Sequence, residues 1–459
     1  MKPTVFRLRD NPAGTIDIDL FDAFDELPPH PLGVSPGDVD VVAFRDDPKG
    51  GGKTGIIGQL LYQALKNHPS RQFEAAIDAK APIYVCEPSL RSQALPWEAL
   101  GQNGDFLALK ADQRLARIVL TSDASAGAER TFDRELRILA ILAAAGGNPQ
   151  DPDADPLTAE GELKALAGGL KKLPPEFGLK VRVLGCDKEV SDAVTALGDP
   201  RFSFEFLPSA EGNQAFNFIL DATEALQPHV VHFFCHGQAG DPPRLELATR
   251  LDQENGRANG TVLLEPDDLA GILQKAPGVW LALLNCCLGA APTNTSPGLA
   301  RELVRDGFPA VVGMQEPIDR SDAHRFCRAF YDALRETLGA ALKAPQPVQI
   351  DWPKLMIGPR LDLVRTHVPA TSQANGTKTW TLPVLYVGRH PFELKVIAPP
   401  APAPVAVPGP TPDAITEAQA EIATLTALRD ELAAAAVPAA KLAKIDDRIA
   451  QLRQSLSTP

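Results

Sequence analysis

Basic charge and long apolar runs are both scarce in this chain of 459 residues. Lysine and arginine together number 45 against 58 aspartates and glutamates, which gives a formal net charge of −13. Binding to nucleic acid needs clustered basic charge on the protein, so this balance argues against a nucleic acid partner. No apolar stretch reaches the length of a membrane span, and the start Met1-Lys2-Pro3 is not followed by the apolar core of a signal peptide. We therefore expect a cytoplasmic protein with no membrane or nucleic acid partner.

Cysteine is also rare, with six residues in the whole chain. They mostly lie inside apolar runs, and their positions are Cys86, Cys186, Cys235, Cys286, Cys287 and Cys327. So few cysteines in a chain of this length do not form a disulfide framework and are typical of reduced thiols in a cytoplasmic protein.

Strand and helix patterns alternate from residue 56 to about residue 394. Apolar runs of strand length predict strands over Pro82–Cys86, Leu115–Thr121, Leu179–Leu184, Val230–Cys235, Val279–Leu284, Phe308–Met314 and Thr381–Val387. Amphipathic stretches predict helices over Ile56–Lys66, Ala128–Ala145, Asn213–Leu226, Asp267–Lys275, Pro297–Asp306 and Ser321–Leu338. Strands that are apolar on both faces and alternate with helices predict an α/β domain with a mainly parallel sheet and helices on both sides. Ser296 is expected to cap the helix that begins at Pro297.

Both ends of the chain depart from this pattern. Residues 1–55 are rich in Pro, Gly and Asp, and we expect an irregular, β-rich N-terminal extension with short strand-like runs such as Val41–Phe44. Residues 395–413 are predicted to be an extended linker of Pro and Ala. Apolar residues at helical spacing then predict a helical hairpin over 414–457, interrupted at Val437-Pro438. The hairpin is expected to dock on another chain or on the main domain, and a partly disordered Ala-rich tail is the alternative.

The segment Lys49–Thr54 invites comparison with a phosphate-binding loop. That loop needs a glycine five residues before Gly52, and this position holds the carboxylate of Asp47. We therefore predict a flexible loop that leads into the first helix, and no cofactor.

Two of the predicted strands end at residues that suit thiol chemistry. The run that starts at Val231 ends in Cys235-His236-Gly237, and the run through Leu284 ends in Asn285-Cys286-Cys287. Functional groups of open α/β sheets collect at the carboxyl ends of the strands. A free cysteine is mostly protonated at neutral pH, and a nearby imidazole can accept its proton. Gly237 would let its backbone N–H approach a developing oxyanion closely.

The other polar residues of the first motif are given structural roles. His232 lies inside the strand and is expected in the core, whereas His229 precedes the strand and is expected to be exposed. Cys235 lies on the opposite strand face from His236 and is expected to pack in the core. One strand does not bring these side chains together as a tetrahedral metal site, so no metal is expected.

Taken together, these segments resemble the CHAT family of caspase-like (clan CD) cysteine peptidases. The resemblance covers about residues 56–394 and includes the His-Gly motif and the Asn-Cys-Cys motif about fifty residues later. It also includes Leu95–Leu100, Leu299–Leu303, Pro309–Gln315 and Trp380–Tyr386. It implies a caspase-like fold and a cysteine endopeptidase with a Cys–His pair, a protein substrate and no cofactor.

The family's turn, small–Cys–x–small, places Cys287 at the nucleophile position and His236 at the position of the base. Adjacent strand residues face opposite sides, so only one of Cys286 and Cys287 is expected to meet the histidine. Cys287 is favoured, and Cys286 remains the alternative. The resemblance further implies that the backbone N–H groups of Gly237 and Cys287 form the oxyanion hole.

Substrate preference and regulation are less directly encoded. Glu316 and Asp241 are candidates for substrate binding, because acidic groups at the rim of the cleft favour a basic residue before the scissile bond. Asp319 and Asp322 are expected instead to cap the helix that starts near Ser321. Members of the family commonly act in bacterial defence or cell death and often need an activating partner, for which the C-terminal hairpin is a candidate. The alternative function is a caspase-like scaffold that has no catalytic activity.

Overall fold

A large central sheet organises the greater part of the chain in the computed structural model. The structure describes residues 3–13, 15–21, 30–120, 129–144, 159–173, 177–209, 213–257, 259–344, 347–367, 374–397 and 412–457. The strands are β1 (Thr4–Asp10), β2 (Ile16–Phe21), β3 (His30–Pro31), β4 (Ile83–Cys86), β5 (Gly101–Gln102), β6 (Asp105–Phe106), β7 (Leu115–Val119), β8 (Arg130–Phe132), β9 (Glu135–Leu142), β10 (Gly178–Gly185), β11 (Phe202–Phe206), β12 (Val230–Phe234), β13 (His236–Gln238), β14 (Arg244–Leu247), β15 (Val262–Leu264), β16 (Leu281–Leu284), β17 (Ala310–Met314), β18 (Val348–Gln349), β19 (Pro383–Gly388) and β20 (Glu393–Val396).

Helices connect most of these strands. They are α1 (Val39–Asp46), α2 (Lys53–Lys66), α3 (Gln72–Asp78), α4 (Leu90–Gln93), α5 (Glu160–Leu170), α6 (Lys188–Leu197), α7 (Gln214–Leu226), α8 (Arg250–Glu254), α9 (Pro266–Lys275), α10 (Leu299–Arg305), α11 (Arg320–Ala341), α12 (Trp352–Leu355), α13 (Ile357–His367), α14 (Pro412–Ala434) and α15 (Ala439–Ser457). Among the described residues, no helix is both long and apolar enough to cross a lipid bilayer.

The central sheet has twelve strands in the order β11-β10-β9-β12-β16-β17-β19-β7-β4-β1-β2-β3. Pairing is parallel from β11 through β17 and again from β19 through β1. The contacts between β17 and β19, and between β1, β2 and β3, are antiparallel. The chain is therefore an α/β protein with a mainly parallel sheet, as the sequence predicted.

Alternate residues of the central strands enter two different cores. In β12, Val230 and Phe234 belong to an apolar cluster with residues of α5 and α11. Val231 and Phe233, on the other face, belong to a second cluster with residues of α7, α9 and α10. Because both faces are covered by helices, both sets of alternate positions are apolar, which is the pattern that predicted the parallel sheet.

The predicted helix over Ala128–Ala145 is wrong. The described part of that segment forms β8 and β9, and β9 pairs in parallel with both β10 and β12. Most of β9 is buried on both faces, so its sequence ELRILAIL lacks the alternation that marks a half-buried strand. An apolar run rich in Leu and Ile is compatible with either structure, and the tertiary position decides.

Two shorter predictions also need correction. Val41–Phe44 lies in helix α1, where the Asp38 side chain accepts a hydrogen bond from the Asp40 N–H, so the run is not a strand. Helix α10 begins at Leu299 with Gly298 at the N-cap, and Ser296 lies before it. Residues 1–55, predicted as an irregular, β-rich extension, contribute strands β1 to β3 to the central sheet.

A buried ion cluster lies within this fold. Arg117 of β7 has a fully buried guanidinium that donates to Glu87 at 3.0 Å and to Glu98 at 2.6 Å. Its N–H groups also donate to the backbone carbonyl groups of Gln93 and Leu95. Glu98 belongs to the Leu95–Leu100 segment, so a segment that carries the family resemblance contacts this buried cation.

The chain divides into two compact units, Met1–Ile397 and Ala398–Pro459. In the second unit, helices α14 and α15 are connected by ion pairs between Arg429 and Asp446 at 2.6 Å and between Arg448 and Glu421 at 3.1 Å. Val437 and Pro438 lie between the two helices. The linker predicted over 395–413 lies mostly outside the described residues.

Candidate active site

The two motifs lie at the ends of neighbouring parallel strands. Strands β12 and β16 pair in register, with Phe233 opposite Leu284. The N–H of Asn285 continues the pairing and donates to the Phe233 carbonyl at 3.0 Å. His236 and Cys287 each follow at the same distance along the chain from this last pair, so the fold brings both predicted residues to one edge of the sheet.

Gly237 lies in close contact with the second motif. A Cβ atom at this position would overlap the carbonyl oxygen of Cys287 and would lie 3.2 Å from the Sγ atom of Cys286. Every residue type except glycine would therefore push the two chain segments apart. From the sequence, Gly237 was expected to let its backbone N–H approach an oxyanion. The structure adds a second reason for glycine, which is the close contact with the Cys287 backbone.

Cys286 and Cys287 differ in exposure. Strand β16 ends at Leu284, so both cysteines lie in the turn beyond the strand, and the predicted alternation of strand faces does not separate them. Burial does: Cys286 is 2% exposed and belongs to an apolar cluster, whereas Cys287 is partly exposed. A reagent or substrate in solvent therefore reaches Cys287 more readily.

The surroundings of Cys287 favour its neutral thiol in the free protein. Burial raises the pKa of the Cys287 thiol, and the nearby Cys286 raises it further. The backbone N–H of Ile318 points to the thiol and opposes these effects, because it stabilises the thiolate. Ile318 lies after β17 and was not singled out from the sequence, since a backbone donor leaves no signature in residue type.

The turn after Cys287 contains an unusual backbone conformation. Leu288 has a φ angle of 60°, in the left-handed region that non-glycine residues rarely adopt. Such conformations persist where the surrounding structure imposes them, and they cluster at active sites. Here the left-handed residue directly follows Cys287 and turns the chain back towards Gly289 and the interior.

The remaining histidines of the first motif are both buried. His232 is fully buried in β12, as predicted, and its Nδ1 atom lies 3.0 Å from the Tyr331 hydroxyl. The expectation that His229 is exposed is wrong, because it is 4% exposed and stacks on Trp280 with ring centroids 4.2 Å apart. Burial and the adjacent Arg137 lower the pKa of His229 to about 3. His236 itself is partly exposed and begins β13, where it pairs with Glu246.

A buried carboxylate lies behind the two strand ends. The Oε1 atom of Glu162, on α5, accepts a hydrogen bond from Asn285 Nδ2 at 2.7 Å and lies 2.9 Å from His232 Nε2. Glu162, His232 and Cys327 are also the group among the described residues whose potential metal-ligand atoms lie within 4.8 Å of one another. Glu162 is separated from Asn285 by 123 residues of sequence, and neither spacing nor composition signalled their contact.

The two candidates for substrate binding lie in different environments. Glu316 forms an ion pair with Lys378 at 2.6 Å, and Lys378 is almost fully buried. Burial raises the pKa of Glu316 although Lys378 opposes this effect. Asp241 is exposed in the loop between β13 and β14 and precedes Pro242. The charge of Glu316 is thus already balanced within the protein.

Asp319 and Asp322 both lie at the start of α11. Asp319 is the N-cap, as predicted, and its Oδ1 atom accepts a hydrogen bond from the Ser321 N–H at 2.7 Å. Asp322 is buried in the first turn, and its carboxylate lies 2.8 Å from His367 Nε2.

Polar groups of the segment that resembles a phosphate-binding loop form hydrogen bonds within the protein. The Thr54 hydroxyl donates to the Thr377 carbonyl at 3.1 Å, and Lys53 Nζ donates to the Ala43 carbonyl at 3.1 Å. The Asp47 carboxylate accepts a hydrogen bond from the Lys49 N–H within the loop. These three polar groups therefore face the protein itself.

Comparison with solved structures gives distant likenesses. Gingipain R, an Arg-specific cysteine proteinase, matches 72% of this chain and 66% of its own, with 12% identity and a TM-score of 0.40. The separase–securin complex of Saccharomyces cerevisiae matches over 84% of this chain and 21% of that chain, with 13% identity and a TM-score of 0.31. A secreted C11 cysteine protease from Bacteroides thetaiotaomicron matches over 54% and 64%, with 12% identity and a TM-score of 0.28. The chain thus spans two thirds or less of each of these proteins.

A family-level match is found in the sequence itself. No curated protein matches it significantly. The CHAT domain family matches residues 56–349, which is more than half of the chain, and this segment contains both strand-end motifs. This confirms the family that the sequence motifs indicated. The chain belongs to the CHAT domain family.

Proposed function

We propose that this chain is a cysteine endopeptidase in which Cys287 is the nucleophile and His236 is the base. The observation that carries the proposal is the placement of both residues beyond the registered pair Phe233 and Leu284, with Gly237 against the Cys287 carbonyl. Membership of the CHAT domain family supports the same chemistry. The partial exposure of Cys287 favours it over Cys286 as the nucleophile.

The proposed reaction begins with a proton transfer. Because the raised pKa keeps Cys287 as a thiol in the free protein, His236 accepts the proton as sulfur attacks the peptide carbonyl carbon. The backbone N–H groups of Gly237 and Cys287 stabilise the oxyanion that forms. The C–N bond then breaks, the amine leaves with the proton from His236, and a thioester remains on Cys287. Water, deprotonated by His236, hydrolyses the thioester and restores the thiol.

The substrate in this proposal is a protein that presents a basic residue before the scissile bond. Asp241 is the acidic group that supports this preference, because it is exposed and close in sequence to His236. Glu316 takes part only where its ion pair with Lys378 opens. We further propose that the enzyme is regulated within a bacterial defence or cell-death system and that an activating partner binds helices α14 and α15.

A peptide electrophile tests the catalytic assignment. Full-length protein is treated with peptidyl vinyl sulfones that carry arginine or aspartate at the first position, and the modified residue is identified by mass spectrometry. Labelling at Cys287 is expected to disappear in Cys287→Ala, to persist in Cys286→Ala and to fall by about 100-fold or more in His236→Ala, since a general base contributes on this order.

The same experiment contains the outcomes that contradict the proposal. Labelling and peptide cleavage that survive Cys287→Ala would show that the nucleophile is elsewhere. A protein that is neither labelled nor cleaves peptides, even with proteins encoded next to it, would favour the scaffold alternative. Preference for the aspartate probe over the arginine probe would reject the basic specificity.

A further inference from the structure

We propose that Glu162 is a positioning residue that ties together the strand ends bearing Cys287 and His236. The inference rests on the proposed function for its catalytic meaning. Glu162 lies on α5, outside both motifs, and its side chain is fully buried. One carboxylate oxygen contacts Asn285, which precedes the two cysteines, and His232, which lies in the strand that leads to His236.

Polar contacts of Glu162 reach both strand ends. The Tyr331 hydroxyl and His232 Nδ1 form a hydrogen bond of 3.0 Å, and His232 Nε2 lies 2.9 Å from Glu162 Oε1. Asn285 Nδ2 donates to the same carboxylate at 2.7 Å and to the Ala323 carbonyl at 3.0 Å. Glu162 Oε1 therefore accepts a hydrogen bond from one strand end and contacts the strand that leads to the other.

Burial raises the free-energy cost of losing these polar contacts. A buried carboxylate is costly unless hydrogen bonds replace its contacts with water, and such contacts restrict the arrangement of the groups that make them. Asn285 is therefore fixed on two sides, by α5 and by α11. Since Asn285 directly precedes Cys286 and Cys287, the carboxylate limits where the turn after β16 can lie.

A hydrogen-bonding role fits the geometry better than a metal site does. Glu162, His232 and Cys327 offer ligand atoms within 4.8 Å of one another. Two ligand atoms of a tetrahedral zinc ion with bonds of 2.0–2.1 Å are separated by about 3.3 Å. The 2.9 Å between His232 Nε2 and Glu162 Oε1 is shorter than this separation. Glu162 also does not belong to either motif that faces solvent, so we assign it no contact with substrate.

Variants of this contact test the inference in the full chain. Asn285→Ala removes the amide, and Glu162→Gln keeps the side-chain volume but replaces one carboxylate oxygen by an NH₂ group. Two readouts are measured: the maximal rate and half-saturation of Cys287 labelling by the arginine vinyl sulfone, and the amide hydrogen exchange of residues 231–238 and 282–290. We expect the maximal labelling rate to fall by about 10- to 100-fold with little change in half-saturation, and exchange to increase in both segments.

Cys327→Ser is the matched control, because Cys327 contacts the backbone carbonyl of Glu162 and lies in the same buried cluster. It is expected to leave the labelling rate and the exchange of both segments unchanged. Asn285→Asp alone should be as impaired as Asn285→Ala, since it places two carboxylates together. Adding Glu162→Gln exchanges donor and acceptor, and the double variant is expected to recover part of the rate.

The two readouts separate this inference from the proposed function. If the wild-type protein is not labelled at Cys287, the proposed peptidase function is refuted. The hydrogen-exchange data still test whether Glu162 positions the two strand ends. Unchanged exchange of both segments in Glu162→Gln and Asn285→Ala overturns the positioning role. One zinc ion per purified chain, lost in Cys327→Ser, would also overturn it by making the carboxylate a metal ligand.

Discussion

Glycine at position 237 is required by a single backbone contact. In the sequence it is one of 35 glycines, and its place after His236 suggested access to an oxyanion. The structure places its Cα hydrogen against the carbonyl oxygen of Cys287, where a methyl group does not fit. This contact therefore joins the two motifs.

Gly237→Ala is expected to separate the strand ends. Relief of the overlap needs a backbone shift, which costs about 1–3 kcal/mol of unfolding free energy. A shift of this kind should reduce Cys287 labelling by about 100-fold. Urea denaturation and the vinyl sulfone assay measure the two effects. Gly278→Ala is the matched control, because a Cβ atom there meets no neighbour within 4 Å. Normal labelling of Gly237→Ala would show that the contact is not needed at the site.

At the scale of elements, burial on both faces explains why residues 128–145 were wrongly predicted as a helix. Strand β9 lies between β10 and β12 and shows a continuous apolar run, so its residues gave no strand period. The shorter runs of β12, β16 and β17 were recognised because polar or glycine residues bound them closely. Length and boundaries, more than propensity, therefore made these strands predictable.

The Arg117 cluster connects β7 to the segment after β4. Burial raises the pKa of Glu87 to about 7, although Arg117 opposes the shift. Arg117→Met leaves Glu87 and Glu98 without their cation, and we expect a loss of about 3–5 kcal/mol in unfolding free energy. Denaturant titration at pH 8 measures it. The control is Lys188→Ala, which removes an exposed partner of Asp192 and should have no measurable effect. A loss for Arg117→Met as small as that of the control would contradict the prediction.

At the scale of the whole molecule, buried groups with raised pKa values make the folded state less stable at alkaline pH. Burial is the main cause that raises the pKa of Tyr84, Cys86 and Cys186 to about 12 each. In the unfolded chain these groups ionise at their ordinary values, so between those values and about 12 the folded state retains protons that the unfolded state loses. Stability is then fully present below the unfolded pKa and declines as pH rises.

We expect the unfolding free energy to decrease between about pH 9 and pH 11, by about 1.4 kcal/mol per pH unit for each such thiol. Denaturant titrations under reducing conditions measure the slope. Cys186→Ser removes one titrating group and keeps a donor for the Ala144 carbonyl, which Cys186 contacts at 3.3 Å. This variant should show a shallower slope than the wild type, and an equal slope would mean that Cys186 ionises normally in the folded protein.

The sequence by itself determined the family, the parallel α/β architecture and the two strand ends with His236 and Cys287. These features depend on local patterns: apolar runs of strand length, glycine turns and short motifs. Only the tertiary structure decided which cysteine is accessible, where β9 lies and which groups surround the turn after β16. The contacts of Glu162, Asn285 and Ile318 join residues far apart in the chain, and such contacts leave no periodic pattern. The ion pair of Glu316 with Lys378 likewise exists only after folding.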